Sequence, residues 1–353
     1  MSTNASLRGT IMKAAILTEL KKPLIIGDLE IPELTFGQVL VKILFTGICG
    51  SQLGEIDGKK GPDKFLPHLL GHEASAIVEA IGPCVSKVKP GDHVILHWRT
   101  GSGIQAPTPK YLWNDTIVNA GWITTFQERS IVSENRLTRI PDNIDLEIAS
   151  LYGCAVTTGF GAINNDAQIT IGESVIVFGA GAVGLCALLG SKLTSAYPII
   201  AVDIVESKLE MAKKFGATHT INSKTPDFVS KLYQLVGKNG ADAVIETTGI
   251  TTIIETSYQL TAPWGTTVLV GVPPHNSPAS IDTLPLHFEK KLKGSHGGGI
   301  NPDRDIPSFL KAQEAGLFDL SPMITHRFDL LHINEAIDMT RSGKAGRCII
   351  TFN

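Results

Sequence analysis

One short stretch constrains this chain more than any other. Gly179, Gly181 and Gly184 stand in the order G-x-G-x-x-G, directly after the apolar run 175–178 and ahead of a helix-like segment. That run reads as a buried strand. The first glycine permits a tight turn, the second lets a pyrophosphate approach the backbone, and the third lets helix and strand pack closely. Phosphates then meet the helix N-terminus, where free N–H groups and the helix dipole favour an anion. Glycine-rich turns are common, so the context decides. The next strand-like run, 199–203, ends on Asp203, 19 residues beyond Gly184, where an acid accepts hydrogen bonds from a ribose 2′-OH. The same carboxylate repels a 2′-phosphate, so NAD is expected over NADP. Lys208 either reaches that ribose or is an ordinary exposed helix lysine, and the pattern leaves both open.

The alternation continues through strand-like runs at 242–245 and 267–271, with helix-like segments at 205–215, closed by Gly216, and at 253–260. Such alternation specifies a parallel, doubly wound sheet in an α/β fold. Upstream, to about residue 150, the pattern differs. Short β-like runs at 13–17, 38–44 and 93–96 are separated by turn signals at Pro32, Gly37, Gly82 with Pro83, and Pro90 with Gly91. This reads as a mostly β domain. After about residue 297 come two helix-like segments and a final strand, 347–352. Two domains suit 353 residues, because a single hydrophobic core stops growing before that length.

Hydrophobic residues at 43% and charged residues at 18% fit a folded enzyme. A net charge of -3 offers no basic field for nucleic acid. The most apolar stretch, 175–189, is broken by glycines and too short for a bilayer. Residues 1–10 are polar, lack the apolar core of a signal peptide, and read as a loose leader. The expected location is the cytoplasm, with no membrane partner. Five cysteines (Cys49, Cys84, Cys154, Cys186, Cys348), odd in number and far apart, argue against a disulfide framework.

In the β-rich part, Cys49, His72 and Cys154 share a chemical theme. Two thiolates and an imidazole make a three-ligand zinc set, and the open fourth position marks catalytic rather than structural zinc. From spacing alone the alternative stands that Cys49 and Cys154 are buried apolar thiols and His72 a satisfied core residue.

The segments 46–51, 70–73, 89–94, 153–159, 177–184, 270–274, 333–336 and 341–344 with Arg347 carry a resemblance that extends over nearly the whole chain. The sequence resembles the zinc-dependent alcohol dehydrogenases of the medium-chain dehydrogenase/reductase superfamily, including the glutathione-dependent formaldehyde type. The resemblance implies that Cys49, His72 and Cys154 ligate one catalytic zinc, with Glu73 behind the metal as a transient ligand. It implies that Ser51 passes the substrate proton onward and that Arg347 binds the pyrophosphate. Thr158 and Val183 would contact the nicotinamide, and Val272 would join the cofactor contacts. Zinc acts as a Lewis acid on the alcohol, and hydride passes to the nicotinamide. The implied architecture is a GroES-like β-rich catalytic domain, 1–156 with 297–353, and a Rossmann NAD-binding domain, 157–296. Zinc and nicotinamide are expected to meet in the cleft between them. Relatives dimerise through edge strands of the nucleotide domain, here 267–272 and 279–284, which leaves homodimer or homotetramer open.

The chain also departs from that pattern. Residues 94–126 contain no cysteine, so a second, structural zinc is not expected, and 101–109 stands in for a longer loop. Gly54 occupies the place of a frequent relay histidine, so Ser51 must release its proton to another acceptor. Gly50 stands where relatives often place a basic phosphate ligand. Trp98 and His296 fall at pocket positions usually filled by smaller or aliphatic groups, which points to a polar, polyol- or sugar-like alcohol. His97 beside them is expected to be a packed residue. The rival readings are a zinc-free reductase of the same superfamily and a non-catalytic nucleotide-sensing protein of the same fold.

Overall fold

The computed structural model describes residues 9–352, so the leader expected at 1–10 lies outside them up to Arg8. The chain forms two compact units, Met1–Cys154 with Asn301–Asn353, and Ala155–Ile300.

The first unit carries β1 (Ile11–Leu17), β2 (Ile25–Glu30), β3 (Gln38–Gly47), β4 (His68–Leu69), β5 (Glu73–Ile81), β6 (His93–His97), β7 (Lys110–Trp113), β8 (Thr116–Asn119), β9 (Arg129–Ser133) and β10 (Leu137–Arg139). A closed barrel runs β1-β2-β7-β8-β4. A second sheet runs β10-β6-β5-β3, continues through the strands Arg347–Thr351 and Ile324–Asp329, and takes β9 on β3. Period-two patterning builds both cores. Along β3, Val39, Val41 and Ile43 pack with Ala74, Ala76 and Val94, whereas Leu40 points the other way, to Met12, Ile16 and Tyr111. The strand Arg347–Thr351 runs antiparallel to β3 with Ile350 opposite Thr46, and parallel to Ile324–Asp329.

The second unit carries β11 (Val175–Phe178), β12 (Ile199–Asp203), β13 (His219–Asn222), β14 (Ala241–Glu246), β15 (Thr261–Leu269) and β16 (Lys291–Gly294). They order as β13-β12-β11-β14-β15-β16, and every pairing is parallel. Counted within the unit this is the 3-2-1-4-5-6 order of two mononucleotide-binding halves, a Rossmann sheet. All four residues of β11 are buried, as a central strand covered on both faces requires. The helix Glu206–Lys214 ends before Gly216, which takes a φ of +105°. The strand expected at 279–284 is not formed within one chain, where this segment is irregular. A backbone can ladder only where a neighbour supplies the partners. No single helix among the described residues is long and apolar enough to cross a membrane.

Candidate active site

Three parts of the first unit converge on one point. β3 delivers Cys49, which precedes the helix Gly50–Ile56 in an extended conformation (φ -107°, ψ 151°). His72 leads into β5 after Gly71, whose φ of +93° and whose closeness to Thr125 Oγ1, 2.2 Å from where a Cβ would sit, leave no room for a side chain. Cys154 follows the turn Ser150–Gly153. A Cβ on Gly153 would sit 2.2 Å from the Leu96 carbonyl oxygen, so glycine lets this turn lie close against β6. The ligand atoms of Cys49, His72 and Cys154 all lie within 4.8 Å of one another. Among the described residues no other three histidine, cysteine or acidic side chains cluster so that they could hold a metal ion.

The donor chemistry of the cluster is specific. His72 turns Nδ1 towards the Gln52 amide and towards Ser51 Oγ at 3.5 Å. Its Nε2 is buried and has no hydrogen-bond partner, which is the state of an imidazole nitrogen left for a metal. A hydrogen bond with the Cys154 side chain, helped by His72 and against the effect of burial, holds the Cys49 thiol well below its usual range. Cys186, buried without such neighbours, is pushed up by desolvation and is an inert core thiol. A zinc ion therefore suits Cys49, His72 and Cys154 on the evidence of their own atoms.

Behind these ligands, the carboxylate of Glu73 forms an ion pair with the Arg347 guanidinium, both groups being buried. A Cβ on Gly47 would stand 2.1 Å from Glu73 Oε1 and 2.9 Å from Arg347 Nε, so glycine there makes room for the pair. Glu73 thus lies outside the three-residue cluster. Arg347, expected at a pyrophosphate, belongs to the first unit and faces Glu73. Gln52, buried, accepts the Cys49 N–H at 2.8 Å while its amide faces His72. The sequence reading missed Gln52. Its signal was the third helical position after Cys49, from which a glutamine reaches back to the cap.

A cavity of about 880 Å³ opens beside His72 and Gln52, with Leu69, Leu70, Ile123, Phe65 and Trp122 among its walls. Trp98 is not among the lining residues. It packs on the Val39–Val94 cluster, and its carbonyl accepts from Arg136. His97 is buried, with Nδ1 donating to the Arg99 carbonyl at 2.7 Å and Nε2 accepting from Thr138 Oγ1 at 3.0 Å. Desolvation lowers its pKa from 6.5 to about 4, so it is a neutral packed residue. His296 is exposed in the second unit, just ahead of the turn Gly297–Gly299.

In that unit the three glycines occupy three different environments. Gly179 has a φ of +91°. Gly181 precedes the helix Ala182–Leu193, has no side-chain cap, and would meet nothing within 4 Å if it carried a Cβ. Gly184 lies so close to the turn that its Cβ would stand 1.8 Å from the Gly179 carbonyl oxygen. The open helix N-terminus at Gly181 fits a pyrophosphate. Asp203 ends β12, and its carboxylate accepts the N–H groups of Ala180 at 2.8 Å, Ile204 at 2.7 Å and Val205 at 2.9 Å. Lys208 is half-buried in the helix Glu206–Lys214. Val183 is half-buried near the start of Ala182–Leu193, and Val272 is exposed beyond β15. Thr158 is buried, and its Oγ1 has no hydrogen-bond partner.

A Rossmann sheet joined in one chain to a β-rich unit with a Cys–His–Cys cluster describes a metal-dependent dehydrogenase. Comparison with known proteins agrees. Residues 35–142 match the family model described as the alcohol dehydrogenase GroES-like domain, and residues 182–313 match the zinc-binding dehydrogenase model. The chain is 32% identical to alcohol dehydrogenase 1 of Pisum sativum, over 97% of this chain and 98% of that one. It is 31% identical to S-(hydroxymethyl)glutathione dehydrogenase of Escherichia coli O1:K1, over 96% and 99%. The crystal structure of benzyl alcohol dehydrogenase from Acinetobacter calcoaceticus superposes with a TM-score of 0.88 at 31% identity, over 98% and 100%. The chain belongs to the zinc-type alcohol dehydrogenase family and is an alcohol oxidoreductase.

Proposed function

We propose that the protein interconverts a polar alcohol and its carbonyl product with NAD, using one catalytic zinc per chain. The observation that carries this reading is the convergence of Cys49, His72 and Cys154, with the buried His72 Nε2 left without a partner. When bound, zinc would supply Lewis-acid polarisation of the substrate oxygen and the nicotinamide a hydride acceptor. The chain's own groups do the rest. Ser51, whose hydroxyl can donate and accept at once, holds the substrate proton. Gln52 orients the His72 ring, as partners of metal-ligating histidines do. Glu73 and Arg347 neutralise each other beneath the ligands. Gly181 leaves space for the pyrophosphate, Asp203 takes the ribose diol with Lys208 nearby, and Thr158, Val183 and Val272 serve the nicotinamide half. In this reading the catalytic domain ends near 154–156 and resumes near 297–301, and the protein is a cytoplasmic homodimer or homotetramer.

Metal analysis tests it directly. The purified chain is expected to hold about one zinc. Cys49→Ala and His72→Ala are expected to lose both zinc and turnover while NAD binding stays measurable, because the nucleotide cradle is built from the other unit. Zinc content unchanged by either substitution would overturn the ligand set.

A further inference from the structure

The cavity beside His72 is far larger than a small alcohol requires and lies at the upper end of ordinary ligand pockets. Its charged residues are unevenly matched. Lys60, Lys64 and Lys110 line it against Glu55 and Asp63. Glu55 is ion-paired with Lys60. Asp63 is turned onto His68 Nε2 at 2.8 Å and onto the Phe65 N–H at 2.8 Å. Among the described residues, neither Lys64 nor Lys110 has a carboxylate within ion-pair distance. Lys64 lies 5.3 Å from the Phe65 ring centroid, so its ammonium sits at an aromatic wall. Trp122, largely exposed, contributes another flat apolar surface. An apolar, aromatic-walled cavity that reaches a metal ligand and carries two unmatched ammonium groups is complementary to a bulky apolar body bearing an anion.

Resting on the proposed function, we infer that the substrate is an alcohol with an aryl or comparably bulky apolar body and an anionic group, carboxylate or phosphate, received by Lys64 and Lys110. The hydroxyl end lies towards His72 and the anion towards the lysines. The polarity expected of the substrate is then negative charge rather than a run of hydroxyls.

The test compares matched substrates in the zinc- and NAD-loaded enzyme: para-(hydroxymethyl)benzoate, its uncharged carboxamide, and para-(hydroxymethyl)phenyl phosphate. At low salt, kcat/KM for at least one anion is expected to exceed that for the carboxamide by at least about fivefold, since partly exposed charge pairs contribute on the order of 1 kcal/mol. Which anion gains tells carboxylate from phosphate. The preference is expected to fall towards unity in Lys64→Gln/Lys110→Gln and to weaken with rising salt. Equal or better use of the carboxamide, or a preference that survives the double substitution, overturns the assignment. Absence of turnover on all three, with zinc and NAD bound, likewise overturns the assignment, whereas only absence of turnover across aliphatic, polyol and aryl alcohols alike would overturn the proposed function beneath it.

Discussion

The Asp203 carboxylate already accepts three backbone N–H groups, one of them from Ala180 inside the glycine turn. It therefore acts on cofactor choice and on the shape of the turn together. A charge pair at about 4 Å and an effective dielectric near 20 is worth on the order of 4 kcal/mol before screening, and even ~1.4 kcal/mol is tenfold. NAD is expected to be preferred over NADP by at least roughly tenfold. Asp203→Asn and Asp203→Ala should both narrow that ratio, measured as kcat/KM at matched salt. Only the alanine variant also loses the anchor on Ala180, so its KM for NAD should rise further. A ratio untouched by both would show that another residue selects the cofactor. His97 makes a second prediction. Its folded pKa, about 4, lies below the ordinary 6.5. Between those values the unfolded chain takes up a proton that the folded chain refuses, so this contribution is complete above about pH 6.5 and is lost as the pH falls towards 4. The full gap is worth roughly 3 kcal/mol. Urea unfolding should show the wild type losing more stability than His97→Gln between about pH 7 and about pH 4.5. Parallel acid limbs would contradict the assignment. At this scale the sequence displayed donor types but not geometry. Cys49, His72 and Cys154 stood out as a zinc-like set. The pairing of Glu73 with Arg347 joins residues that no local pattern connects, and was invisible.

Among the elements, the glycine turn between β11 and Ala182–Leu193 separates cofactor affinity from stability. A Cβ at Gly181 meets nothing, whereas one at Gly184 collides with the Gly179 carbonyl. Gly181→Ala should therefore keep its melting temperature close to wild type while NAD affinity falls at least about tenfold, because the methyl occupies the approach of the pyrophosphate. Gly184→Ala should lower both, since backbone must move to admit it. Calorimetry with and without NAD distinguishes the two, and similar Tm losses in both variants would refute the division. The parallel strands β11, β12, β14 and β15 were legible because strands buried on both faces are continuous apolar runs, whereas the outer strands β13 and β16, less fully buried, carry no such run and were missed. The hairpin β7–β8 was missed, although it closes the barrel. It carries a local signal: Asn114 and Asp115 form a two-residue loop between Trp113 and Thr116, and Asn114 has a φ of +52°. Reading 94–126 for its cysteines alone hid that signal.

At the scale of the whole molecule, the Rossmann unit leaves large apolar side chains uncovered near its β16 edge: Leu284 at 63% and Phe288 at 68% exposure. Large apolar side chains exposed beside an edge strand mark association. Light scattering should find a homodimer or a multiple of it, and Leu284→Asp/Phe288→Asp should shift it towards monomer. A wild type that is monomeric at assay concentration would overturn this. The strand Arg347–Thr351 carries a different consequence, one of timing. It is laid down next to β3, yet it leaves the ribosome some 300 residues later. Until it arrives, β9 covers β3 only over Gln38–Lys42, the Phe45–Gly47 end has no partner on that side, and Glu73 lacks its counter-ion. The Rossmann unit is one uninterrupted segment and can fold during synthesis, but the ion pair beneath the metal site waits for Arg347. A nascent product that stops short of Arg347 can thus hold its nucleotide cradle while Glu73 still lacks its counter-ion.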